Sequence, residues 1–274
     1  MSECTLDLSI TVVSHNQLRL LRTHLPSVFS VKSKSTFEIA LIDNACTDGT
    51  ADWVRRHLPE VRIIRNNCRK SYAANMNSGA RALTKGRYFV ALNPDIRCLP
   101  GLFDSAVAFM DANPDIGLLG PQLLNPDGTI QYSCRRFQTP LTCLIRGFHL
   151  DGVFKNASPI RNYLMTDLDH NSVADADWVL GALMVVRRQA IAEVGGMDER
   201  YQGAYSEDQD WCCRMWHAGW RVCYVPYACA VHDHQREGMR RPWSAMARIQ
   251  VINAVRLMSK FGWRLSRKPR VQTA

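Results

Sequence analysis

The sequence contains no apolar run approaching the ~20 residues that a membrane-spanning helix requires, so an integral membrane protein is not expected. Its first residues, Met1-Ser2-Glu3-Cys4, carry neither the basic region nor the apolar stretch of a secretory leader. Ten cysteines are present, but there is no Cys-x-x-Cys and the only close pair is the doublet Cys212-Cys213. That spacing argues against a zinc ribbon or a disulfide framework and leaves the thiols as small buried hydrophobes. Internal repeats and low-complexity linkers are absent. Acidic residues are nearly missing from one region. Positions 235–274 hold ten Lys or Arg against Glu237 alone, a surplus equal to the whole chain's net charge of +9. A neutral body with a basic tail favours an anionic surface. No recognised nucleic-acid motif accompanies the charge, so a nucleic-acid partner is not expected. The expected location is the cytoplasm, with the cytoplasmic face of the inner membrane as a peripheral alternative.

The 274 residues, 46% of them hydrophobic, suffice for one large α/β domain or two small ones. Leu8 to Val13, Phe37 to Ile42, Val61 to Ile64 and Arg87 to Leu92 are short apolar or β-branched runs that predict strands. Helices are expected around Gln17 to Phe29, after Thr47-Asp48-Gly49-Thr50, where Thr and Asp are good caps, and over Ala73 to Leu83. Such alternation predicts a doubly wound, mostly parallel sheet, whose ligands bind beyond the carboxyl ends of the strands. Asp43, Asn44 and Asp95 fall at those ends.

The second half is less regular. Gly117 to Pro121 reads as a strand and Asn125-Pro126-Asp127-Gly128-Thr129 as a hairpin turn. Residues 135–172 lack periodicity and predict a loop over a site. Trp178 to Val186 is an apolar run broken by Gly181.

The densest chemistry lies at Ser206-Glu207-Asp208-Gln209-Asp210-Trp211, where three acids occupy four positions. Acids suit the first turn of a helix, and Asp210 with Arg214 makes an i, i+4 pair expected at the surface. Packed apolar neighbours would instead desolvate one carboxylate and fit it for general base work. Asn93-Pro94-Asp95 ends an apolar strand, and a lone carboxylate there suits Mg²⁺ or Mn²⁺ held together with substrate phosphates. His232, and with less weight His234, follow another apolar strand and offer imidazoles to a metal or phosphate.

In their shared order, several segments resemble the family 2 glycosyltransferases of GT-A fold, and within them the rhamnosyltransferase-like branch of bacterial envelope polysaccharide synthesis. They are Val12-Val13-Ser14-His15-Asn16, Ile42-Asp43-Asn44-Ala45-Cys46-Thr47-Asp48-Gly49-Thr50, Ser71 to Gly79, Leu92-Asn93-Pro94-Asp95, Trp178 to Ala182 and the Ser206 to Trp211 run. The resemblance covers about Leu8 to His232. It implies a catalytic unit over 1–234, with a nucleotide-sugar half to about residue 100 and an acceptor half beyond it. Residues 235–274 would form a basic helical extension. It implies that Asp43 contacts the nucleotide base, with Ser14, Asn16, Asn44 and Asn77 shaping the same pocket. Asp95 ends the metal-binding Asp-x-Asp motif, whose first Asp is replaced here by Asn93, and His232 completes the metal site. Ser71 stands where glycine is usual. Asp208 would be the catalytic base, with Glu207 beside it, and Trp178, Gly181, Asp210 and Arg214 would line the donor or acceptor pocket. The implied reaction is inverting transfer from dTDP-rhamnose, or alternatively a UDP-hexose, to a glycan or polyprenyl-diphosphate-linked acceptor, assisted by Mg²⁺ or Mn²⁺. A non-catalytic nucleotide-sugar or membrane adaptor is the third reading, which the intact Asp95 and Asp208 argue against.

In the tail, Trp243, Ala247, Val251, Ala254, Met258 and Phe261 recur at steps of three and four, opposite Arg248, Arg256 and Lys260. Ile249 and Ile252 blur the polar face. This pattern predicts an amphipathic basic helix that either docks on the protein or lies on an anionic leaflet, helped by Arg264, Arg267, Lys268 and Arg270.

Overall fold

Buried β-branched and aliphatic side chains build the first strand, β1 (Leu6–Ser14), whose last seven residues are all buried. Helices α1 (Leu18–His24) and α2 (Ser27–Ser30) lead to β2 (Phe37–Asp43), then α3 (Thr50–His57), β3 (Arg62–Arg65), α4 (Tyr72–Ala82) and β4 (Gly86–Leu92). The Ser71 hydroxyl caps α4 by accepting the Ala74 N–H. In the second half follow β5 (Ile96–Cys98), α5 (Leu102–Ala112), β6 (Ile116–Leu124), β7 (Ile130–Gln131), β8 (Cys134–Arg135), α6 (Pro140–Gly147) and α7 (Ser158–Tyr163). The remaining elements are β9 (Ala174–Asp175), β10 (Trp178–Val179), β11 (Leu183–Arg187), α8 (Arg188–Val194), α9 (Glu207–His217), β12 (Arg221–His232) and α10 (Ala245–Phe261). The structure, a computed structural model, describes residues 5–147, 150, 152, 154, 156–203, 206–234, 245–262 and 265–268. Trp243, Arg264, Arg270 and the bases at 236, 240 and 241 lie outside the described residues, as do Glu237 and the Ala247 side chain.

The main sheet runs β3-β2-β1-β4-β11-β6-β12-β5. Strands β3, β2, β1 and β4 are parallel, as the alternation predicts. The sheet then becomes mixed: β11 runs antiparallel to both β4 and β6, β12 is parallel to β6, and β5 is antiparallel to β12. This arrangement places the ends of β4 and β12 together through β5, which follows the Asn93-Pro94-Asp95 turn.

Successive strand residues point to opposite faces. Leu8, Ile10 and Val12 enter one core with Leu21 of α1, Val54 of α3 and Phe103 of α5. Phe89 and Ala91 enter the other with Met76 of α4, Ala190 of α8 and Trp211 of α9. Helix α4 approaches β1 so closely that a Cβ on Gly79 would lie 2.2 Å from the Thr11 hydroxyl.

Two expectations change. Residues 135–172 contain β8, α6 and α7. Their helices are too short to display a period. Helix α10 exists, but its docked face is not the predicted apolar stripe. Asn253 and Leu257 are buried against the body, Lys260 turns inward to Asp210 and Asp198, and Val251 stays exposed with Ile252 and Val255. No helix among the described residues is long and apolar enough to cross a membrane.

Candidate active site

Pairing of β4 with β11 assembles the site. Leu92 lies opposite Leu183, and the Asn93 N–H donates to the Ala182 carbonyl at 2.9 Å. The neighbouring peptide, Gly181, donates its N–H to Asp208 Oδ2 at 3.2 Å. The Gly181 carbonyl accepts the Tyr72 hydroxyl at 2.5 Å. Position 181 lies against both groups: a Cβ there would meet Asp208 Cβ at 3.4 Å and Tyr72 Cε1 at 3.7 Å, in ordinary van der Waals contact. Thus the turn after β4 and the first turn of α9 meet across one glycine.

Electrostatics agree with this convergence. The Tyr72 phenol is pushed well above its ordinary value by burial, then by Glu207, Asp208 and Asp95. It therefore remains a neutral donor. Burial also raises the Asp208 carboxyl, and the N–H groups of Gly181 and Gln209, with Arg135, draw it partly back. Asp208 is packed by protein yet keeps some contact with solvent, whereas Glu207 is buried. A desolvated carboxylate open to a cleft is suited to accept a proton.

Asp95, His232 and His234 form a second group, each offering an atom within 4.8 Å of the others. His232 Nδ1 donates to Gln131 Oε1 at 2.6 Å. That bond leaves Nε2 as the lone-pair nitrogen, 3.4 Å from Asp95 Oδ2. Both His232 Nε2 and Asp95 Oδ1 are buried without a hydrogen-bond partner. Buried polar atoms are rarely left so, and a divalent cation would satisfy both.

The nucleotide end lies beyond β1 and β2. Ser14 and Asp43 are directly opposite in register. Asp43 is buried, its Oδ1 accepts the Cys46 N–H at 2.7 Å, and its Oδ2 has no hydrogen bond. A cavity of about 500 Å³ opens beside it, lined by Ala45, Cys46, Thr47, Arg65, Asn66 and Asn67. Asn16 Oδ1 accepts the Thr47 N–H, and Asn44 ties this rim to the Lys70 backbone. Asn16 and Ala45, following β1 and β2, and Ser206, preceding α9, all have positive φ, of 54°, 57° and 73°. Such strain in non-glycine residues gathers at functional sites.

Three of the expected site groups make other contacts in the structure. Asn77 does not join the Asn16–Asp43 rim. Its amide donates to Met197 O and Glu199 Oε1, and its Oδ1 accepts the Met197 N–H. Asp210 and Arg214 do not line a pocket. Asp210 is fully buried and paired with Arg214 at 2.7 Å and Lys260 at 2.6 Å, so the predicted surface pair is internal. Arg214 spends its remaining donors on the carbonyls of Val194 and Gly196. Trp178 is buried, donating to Arg136 O beneath Gly181. Sequence reasoning missed Tyr72 as a site residue, although its place in the Ser71 to Gly79 segment marked it for inspection.

Comparison with known proteins decides the identity. The profile described as Glycosyl transferase family 2 matches residues 9–165, and that of Glycosyl transferase family group 2 matches residues 149–262. The chain belongs to glycosyltransferase family 2. This family 2 enzyme is 31% identical over 230 residues to the N-acetylglucosaminyl-diphospho-decaprenol L-rhamnosyltransferase of Mycobacterium tuberculosis, covering 80% of this chain and 73% of that protein. A shorter match, 43% over 56 residues, covers 20% of this chain and 21% of the rhamnosyltransferase WbbL of Escherichia coli. The glycosyltransferase shares its fold with GalNAc-T7 solved with UDP, GalNAc and Mn²⁺, at a TM-score of 0.68 and 17% identity over 93% of this chain and 48% of that one. It also resembles the Pyrobaculum calidifontis mannosyltransferase solved with GDP-Man and Mn²⁺, at 0.62 and 18%, over 94% and 65% of the two chains. The fold is therefore GT-A.

Proposed function

We propose that this glycosyltransferase moves rhamnose from dTDP-rhamnose, with inversion, to a hydroxyl of a polyprenyl-diphosphate-linked glycan in envelope polysaccharide synthesis. The carrying observation is that Asp208 is held by Gly181, whose carbonyl accepts the Tyr72 hydroxyl, and that this phenol feels the charge of Asp95 as well as Asp208. Asp208 takes the proton of the acceptor hydroxyl. The hydroxyl oxygen bonds to the anomeric carbon as the carbon–oxygen bond to the nucleoside diphosphate breaks, and attack opposite the leaving group inverts the centre. Glu207 is buried beside Asp208 in the first turn of α9. Asp43, its Oδ2 free of hydrogen bonds, accepts from the nucleotide base, on a rim shaped by Ser14, Asn16 and Asn44. The relatives favour rhamnose and a lipid diphosphate acceptor.

Asp95, His232 and His234 would hold a divalent cation, and two imidazoles with one carboxylate favour Mn²⁺ over Mg²⁺. When bound, that ion would stabilise charge on the departing diphosphate. Tyr72 remains protonated and holds the Gly181 carbonyl, which keeps the adjoining N–H on Asp208.

The reading places residues 1–234 in the catalytic unit and 235–274 in an extension that lies on an anionic leaflet. Support comes from the exposed Val251, Ile252 and Val255 on α10 and from the tail's basic surplus. Loss of vesicle co-sedimentation is the expected result of changing those three residues to Ser, and unchanged sedimentation would refute the membrane role.

Radiolabelled dTDP-rhamnose and UDP-hexoses, offered with a lipid-linked N-acetylglucosamine diphosphate and Mn²⁺, test the reaction. Transfer from dTDP-rhamnose is expected. Transfer only from a UDP-hexose would overturn the donor assignment, and transfer only to soluble glycans would overturn the acceptor.

A further inference from the structure

Several arginines in this protein pair with carboxylates. Arg136 grips Asp167 with two bonds of 2.7 and 2.8 Å, Arg221 bridges Asp115 and Asp175, and Arg267 reaches Asp177 at 2.6 Å. Arg135 and Arg146 depart from this. Neither forms an ion pair among the described residues. Both instead donate to neutral oxygens: they share the Tyr163 hydroxyl, Arg135 from 3.0 Å, and Arg135 Nε also donates to the Tyr132 carbonyl at 3.2 Å. Both also stack on the Tyr163 ring, with guanidinium-to-centroid distances of 5.3 and 4.8 Å. Arg135 lies over Trp178 as well, at 5.3 Å.

Two positive groups fixed to one phenol repel each other, and the phenol cannot neutralise them. The ring faces offset part of this repulsion and hold both planes in place. Tyr163 and Trp178 are buried, so the platform is rigid, while both guanidinium groups keep some exposure. Two preoriented forks of N–H donors without a carboxylate form a receptor for a diphosphate, whose charge and oxygen spacing match them.

Location specifies which diphosphate. Arg135 of β8 lies opposite Trp178 of β10, and the Leu180 N–H donates to Ser133 O, so the pair sits behind the Gly181 turn that touches Asp208. It is on the acceptor half, whereas the metal cluster lies at the ends of β4 and β12. Arg146 belongs to α6, which packs against α10. Both elements carry exposed apolar residues: Leu141 on α6, Leu150 and Phe154 just after it, and Val251, Ile252 and Val255 on α10. A cationic pair bordered by exposed apolar side chains matches an amphiphile with an anionic head and a hydrocarbon tail.

We propose that Arg135 and Arg146 form the acceptor's diphosphate subsite, gripping the polyprenyl diphosphate so that the glycan's hydroxyl is presented to Asp208. This assignment rests on the lipid-linked acceptor reading above. It predicts that the two arginines act on acceptor binding and not on the nucleotide.

Isothermal titration calorimetry with farnesyl diphosphate tests it in EDTA, so that no cation at Asp95 recruits phosphate. Farnesyl monophosphate, inorganic pyrophosphate and farnesol serve as comparisons. Wild-type protein is expected to bind farnesyl diphosphate at least about tenfold more tightly than the monophosphate or inorganic pyrophosphate. Arg146→Gln and Arg135→Gln are each expected to weaken that binding about tenfold, with Arg135→Lys intermediate, and to leave dTDP binding with Mn²⁺ unchanged. Should Arg135→Gln fail to fold by circular dichroism, the half-exposed Arg146→Gln carries the test. Unchanged farnesyl diphosphate affinity in the folded variants overturns the subsite. Equal affinity for inorganic pyrophosphate overturns the lipid source. Wild-type transfer to soluble glycans alone would refute the acceptor reading itself. Efficient lipid-linked transfer with an unchanged acceptor KM in both variants would refute only the subsite.

Discussion

The backbone N–H of Gly181 donates to Asp208 Oδ2, while the carbonyl of the same residue accepts the Tyr72 hydroxyl. One glycine thus joins the hairpin-side strand β11, the nucleotide-side helix α4 and the catalytic-side helix α9. The Gln209 N–H holds the other Asp208 oxygen at 2.8 Å. Each carboxylate oxygen keeps a further lone pair, so the group is oriented without being used up as an acceptor. Orientation from the backbone, which cannot change rotamer, suits the general-base role proposed for Asp208.

The pH dependence follows from the raised Asp208 carboxyl. Only its ionised form accepts a proton, so turnover is expected to fall as pH drops through a value above the usual 3.8. Stability runs the opposite way. The folded state binds the Asp208 proton more tightly than the unfolded chain, so this group's favourable contribution is complete below 3.8 and is lost as pH rises through the raised value. Asp208→Asn at pH 7 should therefore raise Tm while lowering turnover by about 10²- to 10⁴-fold. Differential scanning fluorimetry and the radiolabel assay measure both, and a lowered Tm would contradict the desolvation argument.

The metal cluster gives a prediction about a residue that would touch no metal. Gln131 accepts from His232 Nδ1 and so presents Nε2 toward Asp95. Removing such an outer partner typically costs about 10- to 100-fold in metal affinity. Gln131→Leu should weaken Mn²⁺ binding by about tenfold, read by electron paramagnetic resonance of free Mn²⁺. Wild-type affinity in this variant would mean that the histidine orientation is set elsewhere.

Asn77 separates a structural role from a ligand role. Its side chain satisfies both the N–H and the carbonyl of Met197. Asn77→Ala leaves these groups unpaired inside the protein, at about 2 kcal/mol, and urea denaturation should show the loss. Nucleotide affinity in the surviving folded protein should be unchanged. A folded variant with normal stability and weakened nucleotide binding would return Asn77 to the pocket.

How much of this was legible in the sequence depends on whether a role is local. Strands β1, β2 and β4 announced themselves because they are buried on both faces, and β2 and β4 end at Asp43 and Asn93-Pro94-Asp95. The direction of β11 was hidden, since an apolar run carries no sign of which way it pairs. Asp210 and Arg214 showed their i, i+4 spacing but not their depth. Depth came from Lys260, fifty positions away, and from the Tyr201 hydroxyl, which donates to the same carboxylate. The Arg135–Tyr163–Arg146 stack was illegible for the same reason: three residues on separate short elements leave no period. Tyr72 was visible only as part of a segment, because nothing near it in the chain reveals that three distant acids surround its hydroxyl.

The Lys260–Asp210 contact links the tail to α9, the helix that carries Asp208. Asp210 is fully buried, two residues after Asp208, and Lys260 approaches it at 2.6 Å while also holding Asp198 at 3.0 Å. On the same side of α10, Asn253 exchanges hydrogen bonds with the Gln202 backbone, and Arg256 donates to the Arg200 carbonyl. Helix α10 therefore holds residues on the 198–210 stretch that leads into α9. Lys260→Met would leave a buried carboxylate with Arg214 and Tyr201 but one positive charge fewer. Breaking a buried pair from one side costs about 3–5 kcal/mol when no partner remains, and the retained Arg214 should reduce this to about 2 kcal/mol. Combining Lys260→Met with Asp210→Asn in a double-mutant cycle should return much of the loss, because the uncompensated charge disappears with its partner. Additive effects in that cycle would show that the two residues are not coupled, and that α10 stabilises α9 through Asn253 and Leu257 alone.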